Sequence, residues 1–196
     1  YSLSVYDFSG FLPEYINAKR QVEEQELIMS GEQKREMYAL LNKNAEPANR
    51  YYKYDFFFDN CATRIRDVFP RTFGSGFIYG LSIPTTSKET FRDVINRYFH
   101  KDHWTRLGVN ILLGSKIDRV MTNSDIMFLP DYLRDGVAGA TVAGHKIARP
   151  SKVMLTGGQA AESGINQPLI LTCFIALLTI VGLTQKKLKP LGRVMT

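Results

Sequence analysis

Several residue types that carry chemistry are scarce in this sequence. Its 196 residues include two cysteines, three histidines and one tryptophan. Cys173 lies inside a long apolar run whereas Cys61 lies in the polar body, so the two cannot form a disulfide framework. The sequence also has no glycine-rich phosphate loop, no dinucleotide-binding fingerprint and no Ser-His-Asp set. These absences exclude the motif-defined nucleotide enzymes, the serine hydrolases and the disulfide-rich secreted domains.

The few histidines give no support to a metal site. His100 and His103 have a spacing that can bind metal, but no cysteine or acidic cluster accompanies them. Because a zinc site normally has a full set of ligands, a solvated helix end is the favoured interpretation. His145 lies in a glycine-rich loop and has no assigned role. We expect neither a metal nor a cofactor.

The net charge of +6 belongs largely to one end of the chain. Residues 1–164 are nearly balanced in charge and have no basic stripe, which argues against a nucleic-acid partner. Residues 165–196 have no acidic residue, and their basic residues are Lys186, Lys187, Lys189 and Arg193.

A membrane helix is predicted just before those basic residues. Residues 165–184 carry no charge, and a helix of that length spans the ~30 Å hydrocarbon core of a bilayer. The lysines that follow should stay in the cytoplasm, which places the body on the other side of the membrane. A buried core helix or a signal core is the alternative, but the position and the lysines disfavour both. Because the chain begins at Tyr1 without a targeting segment, we interpret it as part of a longer protein.

Periodicity and capping signals predict an α+β body. Helices are expected to begin at capping boxes headed by Ser30, Thr86 and Thr122, and Pro70 and Pro130 should stop or kink their helices. The predicted helices are 12–19, 30–44, 61–69, 86–99, 102–113 and 122–133, and the predicted extended or partly extended segments are 1–8, 22–29, 51–58 and 136–164.

The segment around Cys61 is the most informative part of the sequence. An aromatic strand is expected to lead into Asp59 and Asn60, either of which can cap the helix that Cys61 opens. A thiol in the first turn meets unpaired N–H groups and the positive helix end, and both favour the thiolate. The same N–H groups can stabilise an oxyanion, as in papain-like enzymes. The alternative is a small thiol packed in the core.

This segment also carries a family resemblance. Residues 54–67, YDFFFDNCATRIRD, closely resemble the signature of the periplasmic domain of Lnb-type lipoprotein N-acyltransferases. The likeness extends to residues 90–95, 112–118 and 127–133, and then to the C-terminal span. It implies a circularly permuted papain-like (NlpC-type) fold in the bacterial periplasm, anchored in the inner membrane. The implied division is a partial catalytic domain (1–135), a connection (136–164), a membrane helix (165–185) and a cytoplasmic tail (186–196).

The resemblance implies a reaction and a site. Cys61 would take an acyl chain from a phospholipid as a thioester and pass it to the α-amino group of a diacylglyceryl-cysteine lipoprotein. The family's partner histidine lies in a Gly-His motif, and none precedes Cys61 here, so the chain by itself is expected to be inactive. Arg64 and Arg66 would contact the headgroup or else form ion pairs with Asp59 or Asp67. The residues expected to bind substrate or support the site are Tyr54, Asp59, Asn60, Thr63, Arg64 and Arg66.

Two other functions stay open at this stage. One is a periplasmic NlpC-type cysteine peptidase or amidase that acts on cell-wall peptide. The other is a non-catalytic interaction domain in which Cys61 is merely packed. The membrane helix favours the acyltransferase, because an anchor holds the site close to its lipid substrates.

Overall fold

The computed structural model describes residues 1–99, 104–157 and 167–188. These residues form a mixed α+β structure, so the predicted class is confirmed, whereas the permuted papain-like arrangement stays a prediction. In chain order the elements are α1 (Phe8–Asn17), β1 (Val22–Glu24), α2 (Gly31–Ala45), α3 (Cys61–Phe73), β2 (Phe77–Ile78), α4 (Phe91–Tyr98), α5 (Trp104–Leu112), a 3-10 turn (Ser115–Ile117), α6 (Asn123–Ile126), α7 (Pro130–Ala138), β3 (Thr141–Val142), β4 (His145–Lys146), β5 (Lys152–Leu155) and α8 (Gln167–Leu188).

The chain divides into two compact units. The first unit comprises Tyr1–Lys88 and Met121–Gln159, and the second comprises Glu89–Val120 and Ala160–Thr196. In the first unit β1 pairs antiparallel with β5, and β2, β3 and β4 form a small antiparallel sheet. Helix α3 contacts α2 on one side and α7 on another.

The core of the first unit forms around α3. This helix is strongly amphipathic, and its buried side chains include Ala62, Phe69 and Phe73. The segment 126–129 is buried in full, and Leu133 and Val137 extend the apolar surface along α7. Since a buried large side chain stabilises by about 1.5–3 kcal/mol, this packing fixes the position of α3.

Capping decides where several helices begin. The boxes at Ser30 and Thr122 form as predicted, each side-chain oxygen accepting the N–H of the third helical residue. The box expected at Thr86 is wrong, because Thr90 caps α4 with Asp93 instead. The later start buries Phe91 and Ile95 on the inner face of α4.

Pro70 does not end its helix, and this prediction is wrong as well. Helix α3 continues to Phe73. A proline removes the N–H that would bond to the carbonyl four residues earlier, here that of Arg66. The Tyr79 hydroxyl donates to that Arg66 carbonyl, so the polar group is satisfied without the helix bond. Pro130 begins α7 after a break, where the sequence predicts a kink.

Two predicted strands are not formed. Residues 51–58 contain two isolated bridges and a turn at 56–58, in which the Asp55 carboxylate accepts the N–H groups of Phe57 and Phe58. Of residues 1–8, Ser2 makes an isolated bridge to Tyr51, and α1 already begins at Phe8. The predicted extended segments near 22–29 and 136–157 do contain β1 and β3–β5.

Within the second unit Arg92 binds α4 to the elements that follow it. Its guanidinium donates to the Asp118 carboxylate at 2.6 Å, to the Gly114 carbonyl at 2.6 Å and to Asn110 of α5. One side chain therefore joins α4, α5 and the turn after α5.

Acid should weaken this connection. The hydrogen bond from Arg92 lowers the pKa of Asp118 below its ordinary value of 3.8. Because the folded pKa is depressed, the pair stabilises the protein above the unfolded pKa, and that stability is lost as pH falls through the folded value. We expect wild type and Asp118→Asn to differ in unfolding midpoint near neutral pH and to begin to converge as the pH falls below about 3.8. Denaturant titrations across pH test this, and a gap that stays constant into strong acid would contradict it.

Helix α8 contains the predicted membrane segment. Residues Gln167–Thr184 have a mean hydropathy of 2.0 and are long and apolar enough to cross a bilayer. Large apolar side chains are exposed along it, among them Leu171, Phe174 and Leu178. His100, His103 and residues 189–196 of the basic tail lie outside the described residues.

Candidate active site

Cys61 is the first residue of α3, and Asn60 sets its position. Asn60 has an extended backbone and its Oδ1 accepts the Thr63 N–H at 2.9 Å, while the Thr63 hydroxyl accepts the Asn60 N–H at 2.8 Å. Both side chains are buried. Of the two predicted caps, Asn60 is therefore the one that the structure uses.

Asn60 also connects the site to the core. Its Nδ2 donates to the Phe56 carbonyl at 2.8 Å and to the Phe128 carbonyl at 2.9 Å. A buried amide that uses both donors and its acceptor has no group left for a substrate. Asn60 and Thr63 therefore position Cys61 and are not placed to touch a ligand.

Replacing Asn60 should destabilise the protein. Asn60→Ala removes the cap and leaves two carbonyls without their donor, which costs about 2–3 kcal/mol. Asn60→Asp keeps the cap acceptor but brings a carboxylate against both carbonyls, so we expect a comparable loss. The neighbouring Asp59→Asn, which breaks only a surface ion pair, is the control and should cost less than about 1 kcal/mol. Chemical denaturation measures all three, and an Asn60→Ala protein as stable as Asp59→Asn would refute the assignment.

The Cys61 side chain is exposed and its thiol is free, and the same holds for Cys173. This exposure contradicts the alternative in which Cys61 is a small thiol packed in the core. The Thr63 N–H is used by the cap, whereas the N–H groups of Cys61 and Ala62, as the first two of the helix, have no carbonyl four residues earlier within it. These two donors and the positive helix end lie next to the thiol.

Two clefts of the first unit meet at Cys61. The first, which we call the α7 cleft, has a volume of about 640 Å³ and lies among β1, α3 and α7. The second, the α2 cleft, has a volume of about 680 Å³ and lies among the N-terminal segment, α2 and α3. Cys61 and Ile65 line both clefts. The thiol is therefore accessible from two sides of α3.

The linings of the clefts differ. Apolar side chains of the α7 cleft include Leu27, Ile65, Phe69, Leu133 and Val137, with Glu23 and Arg134 paired at 3.1 Å in its wall. The α2 cleft is lined by more cations, namely Arg50, Arg64 and Arg71, beside Tyr52 and Phe58. One cleft is thus mainly apolar and the other has a cationic lining partly balanced by carboxylates.

Arg64 is held by two neighbours in the α2 cleft. Its guanidinium makes two hydrogen bonds to the Asp59 carboxylate, at 2.7 and 2.9 Å, and lies 3.8 Å from the centre of the Tyr52 ring. The hydrogen bond to Asp59 raises the pKa of Arg64. This arrangement matches the ion-pair alternative for Arg64, although the side chain also lines the cleft.

The Arg66 side chain lines neither of the two clefts. It pairs with Asp67 at 2.8 Å and donates to the Ser124 carbonyl at 3.0 Å. Its own carbonyl accepts the Tyr79 hydroxyl. The contact with Ser124 gives Arg66 a role in holding α3 against α6.

Tyr52 and Tyr54 are electrostatically coupled to Cys61. Burial raises the pKa of both phenols, and the charge of Cys61 raises it further. Tyr54, predicted to support the site, stacks on Tyr1 with ring centres 4.4 Å apart. A phenol is protonated at neutral pH even at its ordinary pKa of 10.0, so each tyrosine can donate a hydrogen bond.

Sequence reasoning missed Tyr52, Ile65 and the Glu23–Arg134 pair. Tyr52 has no local feature that separates it from Tyr51, and the pair joins positions 111 residues apart. Among the described residues that line the two clefts there is no histidine. His145 lies exposed in β4.

The fold and the site define the class of protein only broadly. It is an α+β domain in which an accessible cysteine begins a capped helix between two clefts. The chain also has a candidate membrane helix. The sequence comparison is more specific. The family model of the Lnb N-terminal periplasmic domain matches residues 1–100, which include Cys61 and its cap. The chain belongs to this family. No curated protein and no solved structure matches it. The periplasmic domain and α8 together fit a membrane-anchored protein with a periplasmic body.

Proposed function

We propose that the protein is a lipoprotein N-acyltransferase with Cys61 as its nucleophile and a permuted papain-like catalytic domain. The observation that carries the proposal is the exposure of the Cys61 thiol where the two clefts meet. Membership of the Lnb family supports the reaction class. The proposed partners are a membrane, a phospholipid acyl donor and a diacylglyceryl lipoprotein acceptor.

The first half-reaction is thiolate attack on an ester. Cys61 Sγ bonds to the carbonyl carbon and the bond from that carbon to the glycerol oxygen breaks. The proton that the thiol lost passes to the glycerol oxygen, which leaves as a lysolipid hydroxyl. In this proposal the N–H groups of Cys61 and Ala62 stabilise the oxyanion, an effect typically worth 10²–10³ in rate per donor, or roughly 3–4 kcal/mol.

The second half-reaction moves the acyl chain to nitrogen. The α-amino group of the acceptor attacks the thioester carbonyl, loses a proton and forms an amide, and the Cys61 thiolate leaves. The two clefts allow donor and acceptor to approach the same sulfur from opposite sides of α3. The apolar α7 cleft suits an acyl chain, and the arginines of the α2 cleft suit a phosphate headgroup. We do not propose a substrate contact for Arg66.

Trapping the thioester tests this proposal. The full-length protein is incubated with phospholipid vesicles whose acyl chains carry an isotope label, and its mass is then measured. We expect a labelled acyl adduct on Cys61 that hydroxylamine removes and that Cys61→Ser lacks. An unlabelled adduct formed only when lipoprotein is present would identify the acceptor's own glyceride ester as the donor. If no adduct forms on folded protein with either lipid, a peptidase, an amidase or a binding domain is favoured instead.

A further inference from the structure

Helix α5 of the second unit exposes its apolar face. Four large apolar side chains are 40–85% exposed, namely Trp104, Leu107, Ile111 and Leu112. At 3.6 residues per turn these positions fall on one arc of the helix. The apolar arc therefore faces away from the protein.

The polar side of α5 faces inward. Asn110, on the opposite side, donates to Asn96 Oδ1 of α4 at 2.6 Å and accepts from Arg92 on both its carbonyl and its side-chain oxygen. A helix on the surface of a water-soluble domain normally does the reverse, burying its apolar stripe and exposing its polar one. The apolar arc of α5 is instead exposed, and hydrogen bonds between α4 and Asn110 hold the helix in this orientation.

The neighbour of α5 indicates what covers the exposed arc. Helix α5 contacts α8 within the same unit. Helix α8 contains the segment that is long and apolar enough to cross a bilayer, and apolar side chains such as Leu171 and Phe174 are exposed along it. An apolar arc beside such a helix is continuous with a lipid-facing surface. The same contact makes lipid the favoured occupant over a second protein chain.

We infer that α5 is an interfacial helix that lies on the membrane with Trp104, Leu107, Ile111 and Leu112 in the boundary between headgroups and acyl chains. Tryptophan is enriched at this depth because its ring is apolar and its N–H is polar. Burial of the apolar arc in lipid stabilises the attachment, as for other amphipathic interfacial helices. The second unit is then held by two elements, α8 across the membrane and α5 along its surface. This inference depends on α8 and not on the chemistry of Cys61.

The single tryptophan of the chain makes the inference testable without a label. The 196-residue chain is reconstituted in nanodiscs of ordinary phosphatidylcholine or of phosphatidylcholine brominated on its acyl chains, and Trp104 emission is recorded. We expect blue-shifted emission that bromolipid quenches strongly and acrylamide quenches weakly. Emission typical of water, quenched by acrylamide and not by bromolipid, would overturn the inference. Blue-shifted emission that bromolipid leaves unchanged would also overturn it, because protein and not lipid would then cover the arc.

A matched pair of variants separates the helix from the anchor. Ile111→Asp puts a charge in the middle of the arc, and we expect a red shift and a large loss of bromolipid quenching while α8 keeps the chain in the nanodisc. Ile111→Leu keeps the arc apolar and should behave as wild type. Equal quenching of the two variants would overturn the inference, because a charge in the middle of an arc embedded in lipid must change its contact with lipid. Far-ultraviolet circular dichroism verifies that both retain their helices.

Discussion

Replacing Cys61 by serine should reduce acyl transfer by the intact protein roughly 10³-fold or more while leaving the fold unchanged. The hydroxyl is a far weaker nucleophile at neutral pH, so the thioester cannot form at a useful rate. The side chain is exposed, and surface substitutions usually change stability by less than about 0.5 kcal/mol. Transfer of a labelled acyl chain to a lipoprotein acceptor measures the first effect, and thermal unfolding measures the second.

The chain supplies its own control for this experiment. Cys173 is the other free cysteine and lies in α8. Cys173→Ser should therefore keep full activity. Activity retained by Cys61→Ser would remove the proposed nucleophile. Equal losses in the two variants would indicate a general effect of cysteine replacement and not a catalytic thiol.

Elements that depend on neighbouring residues were predictable from the sequence. The capping boxes at Ser30 and Thr122, and a cap just before Cys61, are formed by contacts across three residues. The same reasoning fails at Thr86, because Thr90 and Asp93 offer an equivalent box four residues later. Only burial of the inner face of α4 selects between the two, and burial is a tertiary property.

Elements that depend on distant residues were not predictable. Pro70 is tolerated within α3 because Tyr79 supplies a donor to the freed carbonyl, and no pattern near Pro70 signals this. Aromatic residues 51–58 have high strand propensity, yet the Asp55 carboxylate holds residues 56–58 in a turn.

The candidate site was likewise predictable from the sequence only in part. The position of Cys61 at a helix start follows from its local sequence, whereas the two clefts do not. Their walls bring α3 together with β1, α7 and α2, which lie tens of residues away along the chain. The sequence therefore predicts the nucleophile, and only the fold shows from which sides a substrate can reach it.

The wall of the α7 cleft depends on a close contact between two glycines, and its disruption should have the largest effect on stability. A Cβ on Gly80 would lie 2.5 Å from the Gly139 Cα and 2.8 Å from the Gly139 carbonyl carbon. Backbone atoms cannot rotate away, so the end of α7 would have to move. That movement would strain the hydrogen bonds that Gly80 makes with the Gly136 carbonyl and with the Asn123 side chain, both 2.9 Å long. We expect Gly80→Ala to lower the free energy of unfolding by about 3–5 kcal/mol.

Gly76→Ala is the matched control for this prediction. It lies in the same glycine-containing segment, but an added Cβ would meet nothing closer than the Ala143 nitrogen at 3.7 Å, an ordinary contact. We expect it to change the free energy of unfolding by less than about 1 kcal/mol in either direction. Chemical denaturation of the two variants tests the prediction. Equal free energies of unfolding would mean that α7 moves without loss of stability. Since α7 forms one wall of the cleft at Cys61, Gly80→Ala should also reduce acyl transfer under conditions where the protein remains folded, whereas Gly76→Ala should not.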